Sequence, residues 1–360
     1  MQPQVNGTVD LDNPLAVGQH DTQGMLRHIL ALPGQIQSAW RLVQALALPA
    51  DYSTVDAVVV LGMGGSAIGG DLVRAIAGGQ LKVPMTVVRD YELPAFVGPS
   101  TLAIASSYSG ETEETLSAFE AAQARGAKCL AIATGGTLLN RARTAGLPAI
   151  QFDYPSQPRA ALGYSTFLLL GVVGRLGLVA VKSADVAEAV DLLSAMADEL
   201  SPAVPTSQNE AKQLAQFLRG KVAVVYGGAL AEVARRWKGQ LNENSKTWAY
   251  FEAFPELDHN AVVAYQDPAG LRERLAVVML SSDYDHPRTR LRLQVTGELM
   301  DRYGVAHRTV RARGNSYLAQ VFSAIYVGDF ASYYLAALYE VDPTPVEAIA
   351  YLKAELARRG

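Results

Sequence analysis

Along this chain, short unbroken apolar runs alternate with longer segments whose apolar positions recur every three to four residues. Runs of four to eight apolar residues closed by glycine or serine read as strands buried on both faces. The longer segments read as amphipathic helices. In the first part the strands are "DAVVVLG" (56–62), "VPMTVVRD" (83–90), "TLAIASS" (101–107), "KCLAIAT" (128–134) and "PAIQFD" (148–153), with helices between them and a helical pattern through 160–200. A non-periodic stretch, "SPAVPTSQNE" (201–210), reads as a linker. The alternation then restarts with "KVAVVYGG" (221–228), the helix "ALAEVARRWKGQLNEN", "LAVVMLSS" (275–282), the helix "RTRLRLQVTGELMDRYG" and "VAHRTVRA" (305–312), and closes in long helices. Strand and helix in alternation predict an α/β fold with parallel sheets.

The two parts look like copies. "VVVLGMGGSAIGGDLVR" opens one and "VAVVYGGALAEVARRW" the other; "LAIASSYSGETEE" corresponds in order to "VVMLSSDYDHPRT". We expect an N-terminal segment with a helix (1–50), a first α/β domain (51–200), the linker (201–210), a second domain (211–344) and a C-terminal helix (345–360). In the second copy Asp285 replaces Ser109 and Asp283 joins it, so an anion suited to the first loop would be repelled by the second.

Composition narrows the class. With 49% apolar and 18% charged residues the 360-residue chain is globular and long enough for two cores. A net charge of −4 and the lack of any Lys/Arg run disfavour a nucleic-acid surface. The longest apolar run, 161–174, is closed by Arg175, short of the roughly 20 residues of a membrane span, and reads as a buried helix. The polar, acidic N-terminus does not read as a secretory signal. The single cysteine, Cys129, lies in an apolar run and reads as inert in a reducing compartment. The expectation is a soluble cytoplasmic protein.

Two strand-to-helix turns of the first part, "GMGGSA" (62–67) and "SSYSGET" (106–112), are unusually rich in glycine and hydroxyls. Glycines admit positive φ and close approach, helix N-termini offer N–H groups and partial positive charge, and hydroxyls donate without adding charge. At the carboxyl ends of strands this set suits a phosphate monoester. Two other readings stand beside it. Ser107, Ser109 and Thr112 could be helix caps. "GMGGSA" with Asp90 also fits a dinucleotide fingerprint, which would make the chain an NAD-dependent enzyme but leaves the hydroxyl-rich second turn unexplained.

No metal-ligand spacing, Walker loop or G-x-S-x-G elbow appears; the five histidines are scattered. Acid–base chemistry remains. "LNENSKTWAYFEAFPELDHNAVV" (241–263) holds Glu243 between two asparagines able to orient it, and His259. A carboxylate and an imidazole are the usual pair for moving protons near neutral pH. Alone, either could be a surface residue, as could Arg159 and Lys353.

"GMGGS", "SSYSGET", "PRAALG" (158–163), "NEN" followed by "ELDHN", and a terminal "DPTPVEAIAYLK" occur in this order. From about residue 20 to its end, the chain resembles the bifunctional phosphoglucose/phosphomannose isomerases, within the sugar isomerase (SIS) superfamily. The resemblance implies two SIS-type domains, each a parallel sheet flanked by helices in three layers. By position it implies that Gly64, Gly65, Ser66, Ser107, Ser109 and Thr112 hold the sugar phosphate and that Glu243 shuttles a proton between C1 and C2. Arg159 would steady the enediolate, His259 and Lys353 would open the sugar ring, and Thr344 would lie near the substrate. It further implies glucose 6-phosphate and mannose 6-phosphate isomerised to fructose 6-phosphate with no metal or nucleotide cofactor, no nucleic-acid or membrane partner, and a homodimer in which His259 crosses the interface. The rival within the superfamily is a non-catalytic sugar-phosphate regulator, disfavoured because the first 50 residues hold no basic recognition helix. An amino-sugar phosphate isomerase would need an ammonia-supplying domain that the sequence lacks.

Overall fold

The computed structural model describes residues 9–267 and 270–359; the first eight residues of the polar N-terminus lie outside it. The chain divides into two compact units. One comprises Leu30–Ser194 with Gly314–Phe322, and is called the first half. The other comprises Met1–Ile29, Ala195–Arg313 and Ser323–Gly360, and is called the second half.

The first half is built on a five-stranded parallel sheet, β1 (Ala57–Leu61), β2 (Met85–Val88), β3 (Thr101–Ser106), β4 (Lys128–Ala133) and β5 (Ala149–Gln151), in the order β2-β1-β3-β4-β5. Every residue of β1 and β3 is buried, as their unbroken apolar sequences require of strands covered on both faces. Val59, Leu61, Ala103, Ala105 and Ala131 face the helices Glu113–Ala124 and Gly136–Thr144, contributing with Phe119 and Leu138 to one core. Helices Leu32–Gln44 and Gly64–Ala77 both pack on Leu162–Arg175. The fit is close: a Cβ at Gly171 would lie 2.2 Å from Val43 Cγ1. Cys129 is buried and unpaired by disulfide, and burial pushes its thiol up to about 12.

The second half holds a four-stranded parallel sheet, β6 (Val222–Gly227), β7 (Ala249–Ala253), β8 (Leu275–Ser281) and β9 (His307–Arg311), in the order β7-β6-β8-β9. The first four strands of the first half follow the same order, which gives the duplication a topological basis. The sequence pattern locates three of these four strands and misses β7. That strand lies at the sheet edge inside a polar stretch, with Tyr250 exposed, so it has no unbroken apolar run.

Helix Ala231–Ser245 is fastened by a ladder of buried polar groups at a spacing of four residues. Arg236 Nη2 lies 3.3 Å from both Asp329 carboxylate oxygens, Gln240 Nε2 donates to Asp329 Oδ1 at 2.8 Å, and Asn244 Nδ2 donates to Ser332 Oγ at 3.0 Å. Trp237 Nε1 donates to the Ala324 carbonyl at 2.9 Å. The indole leaves no room for a side chain at Gly328, where a Cβ would sit 2.3 Å from the ring. Such a ladder fixes the rotation and height of the helix, because a one-residue slip would strand several buried polar groups.

The helical pattern at 160–200 resolves into two helices, Leu162–Arg175 and Ser183–Glu199. Residues 201–210 are tied down by the buried Lys212, whose ammonium donates to the carbonyls of Pro202 (2.9 Å) and Val204 (2.6 Å). Helix Tyr317–Leu338 is long and apolar enough to span a bilayer, yet its most apolar stretch is entirely buried in the fold.

Candidate functional site

In the first half β1 and β3 are neighbours whose connections leave in opposite directions. Their carboxyl ends therefore mark the topological switch point of the sheet, where open α/β folds bind ligands. The two turns singled out in the sequence leave β1 and β3 there. Gly62 lets the strand ends meet, since a Cβ on it would lie 2.7 Å from the Ser106 carbonyl. Gly64 opens helix Gly64–Ala77 with φ 49°, in the left-handed region that favours glycine.

Gly65 serves its own chain. A Cβ there would lie 2.9 Å from the Pro158 carbonyl carbon and oxygen and from the Arg159 amide nitrogen. The short turn Pro158–Ala160 thus seats on the helix N-terminus and brings Arg159 with it. Arg159 is 2% exposed, so the solvated-arginine reading is overturned. Gln35 supports this turn, donating to the Ala160 carbonyl at 2.8 Å and accepting from Gly163 N at 3.1 Å.

The hydroxyls do not act as caps. Neither helix Gly64–Ala77 nor helix Glu113–Ala124 has a side-chain hydrogen bond at its N-cap, although Thr112 occupies that place on the second. The hydroxyls are organised among themselves. Ser66 Oγ accepts from Tyr108 N at 3.1 Å and stitches one turn to the other. Ser107 Oγ accepts from Gly110 N at 3.1 Å, which directs its proton to Thr112 Oγ1 at 3.0 Å. Thr112 is then left with its own proton to donate. Ser109 Oγ accepts from Glu111 N at 3.2 Å and its side chain is exposed. Two uncapped helix N-termini and a directed series of neutral donors make a cradle chemically suited to an anion. Seven of the expected residues lie here: Gly64, Gly65, Ser66, Ser107, Ser109, Thr112 and Arg159.

Tyr108, the middle residue of "SYSG", escapes sequence reasoning because it reads as a spacer. Its amide donates to Ser66, its hydroxyl donates to the Tyr154 carbonyl at 2.6 Å, and the same oxygen accepts from Ser156 N at 2.7 Å. It ties the cradle to the segment leading into the Arg159 turn.

In the second half the corresponding turns, after β6 and β8, are joined by a carboxylate. Asp285 Oδ1 accepts from Ala229 N at 2.7 Å and Oδ2 from Ser282 N at 2.8 Å, and the side chain is buried. The turn hydrogen bonds Gly110 N to Ser107 O and Asp285 N to Ser282 O pair Asp285 with Gly110, one position from the Ser109 match expected from sequence.

Glu243 lies, half-buried, in the last turn of helix Ala231–Ser245. It lines a cavity of about 600 Å³ with Asn242, Lys246, Val341, Asp342 and residues 345–349. The flanking asparagines are committed to the fold: Asn242 Nδ2 donates to the Thr247 carbonyl at 2.7 Å, and Asn244 Nδ2 to Ser332. Lys246, also missed by the sequence, sends its ammonium to the carbonyls of Glu243 and Pro343. Thr344 is buried in the same segment, its amide donating to Asp342 Oδ1 at 2.9 Å.

His259 ends the turn Glu256–His259 and is exposed. Its neighbours hold that turn, Asp258 through Arg292 (2.9 Å) and Thr296 (3.0 Å), and Asn260 by accepting from Ala261 N. Lys353 is exposed on helix Glu347–Arg359, which has no buried residue. Neither residue lines the Glu243 cavity. Among the described residues no group of three His, Cys, Asp or Glu side chains is placed to hold a metal ion.

Residues 207–356 match the model of the bacterial phospho-glucose isomerase C-terminal SIS domain. The chain is 44% identical over 335 residues to the bifunctional phosphoglucose/phosphomannose isomerase of Caldicellulosiruptor bescii, covering 92% of this chain and 99% of that protein. To the enzyme of that name from Aquifex aeolicus it is 36% identical over 310 residues, 86% of this chain and 92% of the relative. The fold is similar to that of the tagatose-6-phosphate ketose/aldose isomerase of Escherichia coli, with a TM-score of 0.67 at 17% identity, covering 93% of this chain and 98% of that one. With this identity sustained over nearly its whole length, the chain belongs to the bifunctional phosphoglucose/phosphomannose isomerase family and is built from two parallel-sheet SIS domains.

Proposed function

We propose that this isomerase interconverts glucose 6-phosphate and mannose 6-phosphate with fructose 6-phosphate through an enediolate. The observation carrying this reading is the switch-point cradle, where two uncapped helix N-termini and oriented hydroxyls, with the buried Arg159 turn seated on one of them, suit a phosphate dianion. Gly64, Gly65, Ser66, Ser107, Ser109 and Thr112 hold the phosphate, Gly65 by its amide and Ser107 through the Thr112 hydroxyl that it orients. Glu243 takes the proton from one of C1 and C2 and returns it to the other. Arg159, always charged, stabilises the negative charge that develops on the enediolate oxygen. His259 and Lys353 exchange the protons of ring opening, and Thr344 orients the C1–C2 end. Return of the C2 proton to either face of one enediolate yields either aldose, which accounts for two substrates at one site.

We further propose a homodimer. Leu291 and Val295 on helix Pro287–Tyr303, and Val263 just after His259, are 44%, 50% and 64% exposed. Leu291 and Val295 line a groove of about 320 Å³ together with Asp258 and Val262, the latter next to Val263 in the chain. A second copy covering this apolar face would carry its His259 with it. The reaction belongs to cytoplasmic hexose phosphate metabolism, a step shared by glycolysis and gluconeogenesis, where a buried thiol such as Cys129 stays reduced.

The deciding experiment incubates the purified protein with each aldose phosphate in deuterated water with chelator present. Fructose 6-phosphate should form from both, with deuterium entering at C2 on return. Failure with both sugars would remove the proposal. Light scattering should report twice the chain mass, and Leu291→Arg with Val295→Glu should shift it to one.

A further inference from the structure

We infer that Lys246 is a positioning residue for the isomerisation, fastening the segment that carries Thr344 to the end of the helix that carries Glu243. The inference rests on the reading that Glu243 moves the proton.

Lys246 ends helix Ala231–Ser245 with φ 56° and ψ 32°. Left-handed backbone at a helix end is the ordinary place of glycine, because a Cβ is disfavoured there. Among the described residues only Lys246 and Glu340 have positive φ without being glycine. Lys246 lines the Glu243 cavity, and Glu340 immediately precedes Val341, which lines it too. Unfavourable backbone that gathers around one cavity points to a demand for particular side chains there.

At Lys246 the structure shows what the side chain does. It folds back so that Nζ donates to the Glu243 carbonyl, one of the helix-end carbonyls left without a helical donor, and reaches the Pro343 carbonyl at 3.3 Å. One ammonium therefore spans two pieces of chain 97 residues apart, next to the expected base on one side and next to Thr344 on the other. Thr344 N to Asp342 Oδ1 stiffens the segment from within but does not join it to the helix. The Lys246 bridge makes that junction, and it sets the spacing between the carboxylate and the group orienting the reacting carbons.

The variants Lys246→Gly, Lys246→Met and Lys246→Arg test this. Misplacing reacting groups by an ångström costs on the order of 100-fold, so Lys246→Gly and Lys246→Met should lower kcat about 10- to 100-fold. Their KM for fructose 6-phosphate should stay within about twofold, because the phosphate is held elsewhere. Lys246→Gly should melt no lower than the parent, since it relieves the backbone, while Lys246→Arg, which can still donate to both carbonyls, should recover most of kcat. Loss of activity without loss of stability is not what a merely structural lysine gives. Parental kcat in both Lys246→Gly and Lys246→Met, or a fall in kcat tracked by a fall in melting temperature, overturns the inference. Glu243→Gln measured alongside separates the failures. If it is inactive while Lys246→Met is unaffected, positioning by Lys246 is wrong and the base assignment stands. If it turns over normally, the assignment of Glu243 itself fails.

Discussion

The two halves build the same pair of strand-to-helix turns and join them differently. In the first half a neutral hydroxyl, Ser66 Oγ, accepts from the backbone of the other turn. In the second a carboxylate, Asp285, accepts from both turns at once. A hydroxyl adds no charge and keeps a proton to offer, so an anion can share the space. A buried carboxylate uses the same kind of N–H donors internally and repels any second anion. One architecture thus becomes an open cradle in one copy and a closed, self-liganded joint in the other. In the half with the closed joint, Glu243 sits at the end of a helix held by its buried polar ladder.

The largest expected effect lies at Glu243, the proposed proton-transfer group. A positioned base contributes about 10²–10⁴-fold, so Glu243→Gln should lower kcat about 10³-fold and leave fructose 6-phosphate affinity within about twofold, measured by single-turnover kinetics and calorimetry. Next comes giving the open cradle the charge of the closed one. Gly110, the true counterpart of Asp285, cannot accept a side chain: its φ is 73° and a Cβ would lie 2.0 Å from the Gly135 carbonyl. Ser109→Asp is the usable mimic, and like-charge repulsion at the cradle should raise KM for the sugar phosphates about 100-fold while the melting temperature holds. Unchanged KM would place the phosphate elsewhere.

The converse substitution, Asp285→Ala, strands one buried and one half-buried N–H group and should lower stability by about 2 kcal/mol in denaturant titration. Inorganic phosphate should restore more of that loss than it adds to the parent protein; equal effects would mean that the joint is not a relic of an anion site. The smallest effect is expected at the end of the hydroxyl series. Thr112→Val removes one neutral donor, worth about 1 kcal/mol, and should raise KM by about five- to tenfold with kcat unchanged.

Most strands and both cradle turns are legible in the sequence because their signals are local. Unbroken apolar runs mark β1, β3, β4, β6 and β8, and glycines and hydroxyls crowd directly after β1 and β3. The edge strand β7 is not legible: it carries no such run and lies inside the polar stretch 241–263, directly after a helix. The family is also legible, through motifs kept in order along the chain.

The tertiary structure alone decided the partners. That Gly65 yields to Pro158 and Arg159, that Asn242 and Asn244 serve the fold, that Tyr108 clamps the cradle and that Lys246 grips Pro343 all depend on groups brought together from distant positions. The match of Asp285 to Gly110 is different in kind: the ungapped order of the two loops already gives it, and the turn hydrogen bonds agree. The physical reason is the same in each of the other cases. Periodicity and turn chemistry act over a few residues and are written in order along the chain, whereas a group takes whichever partner the folded packing brings within reach.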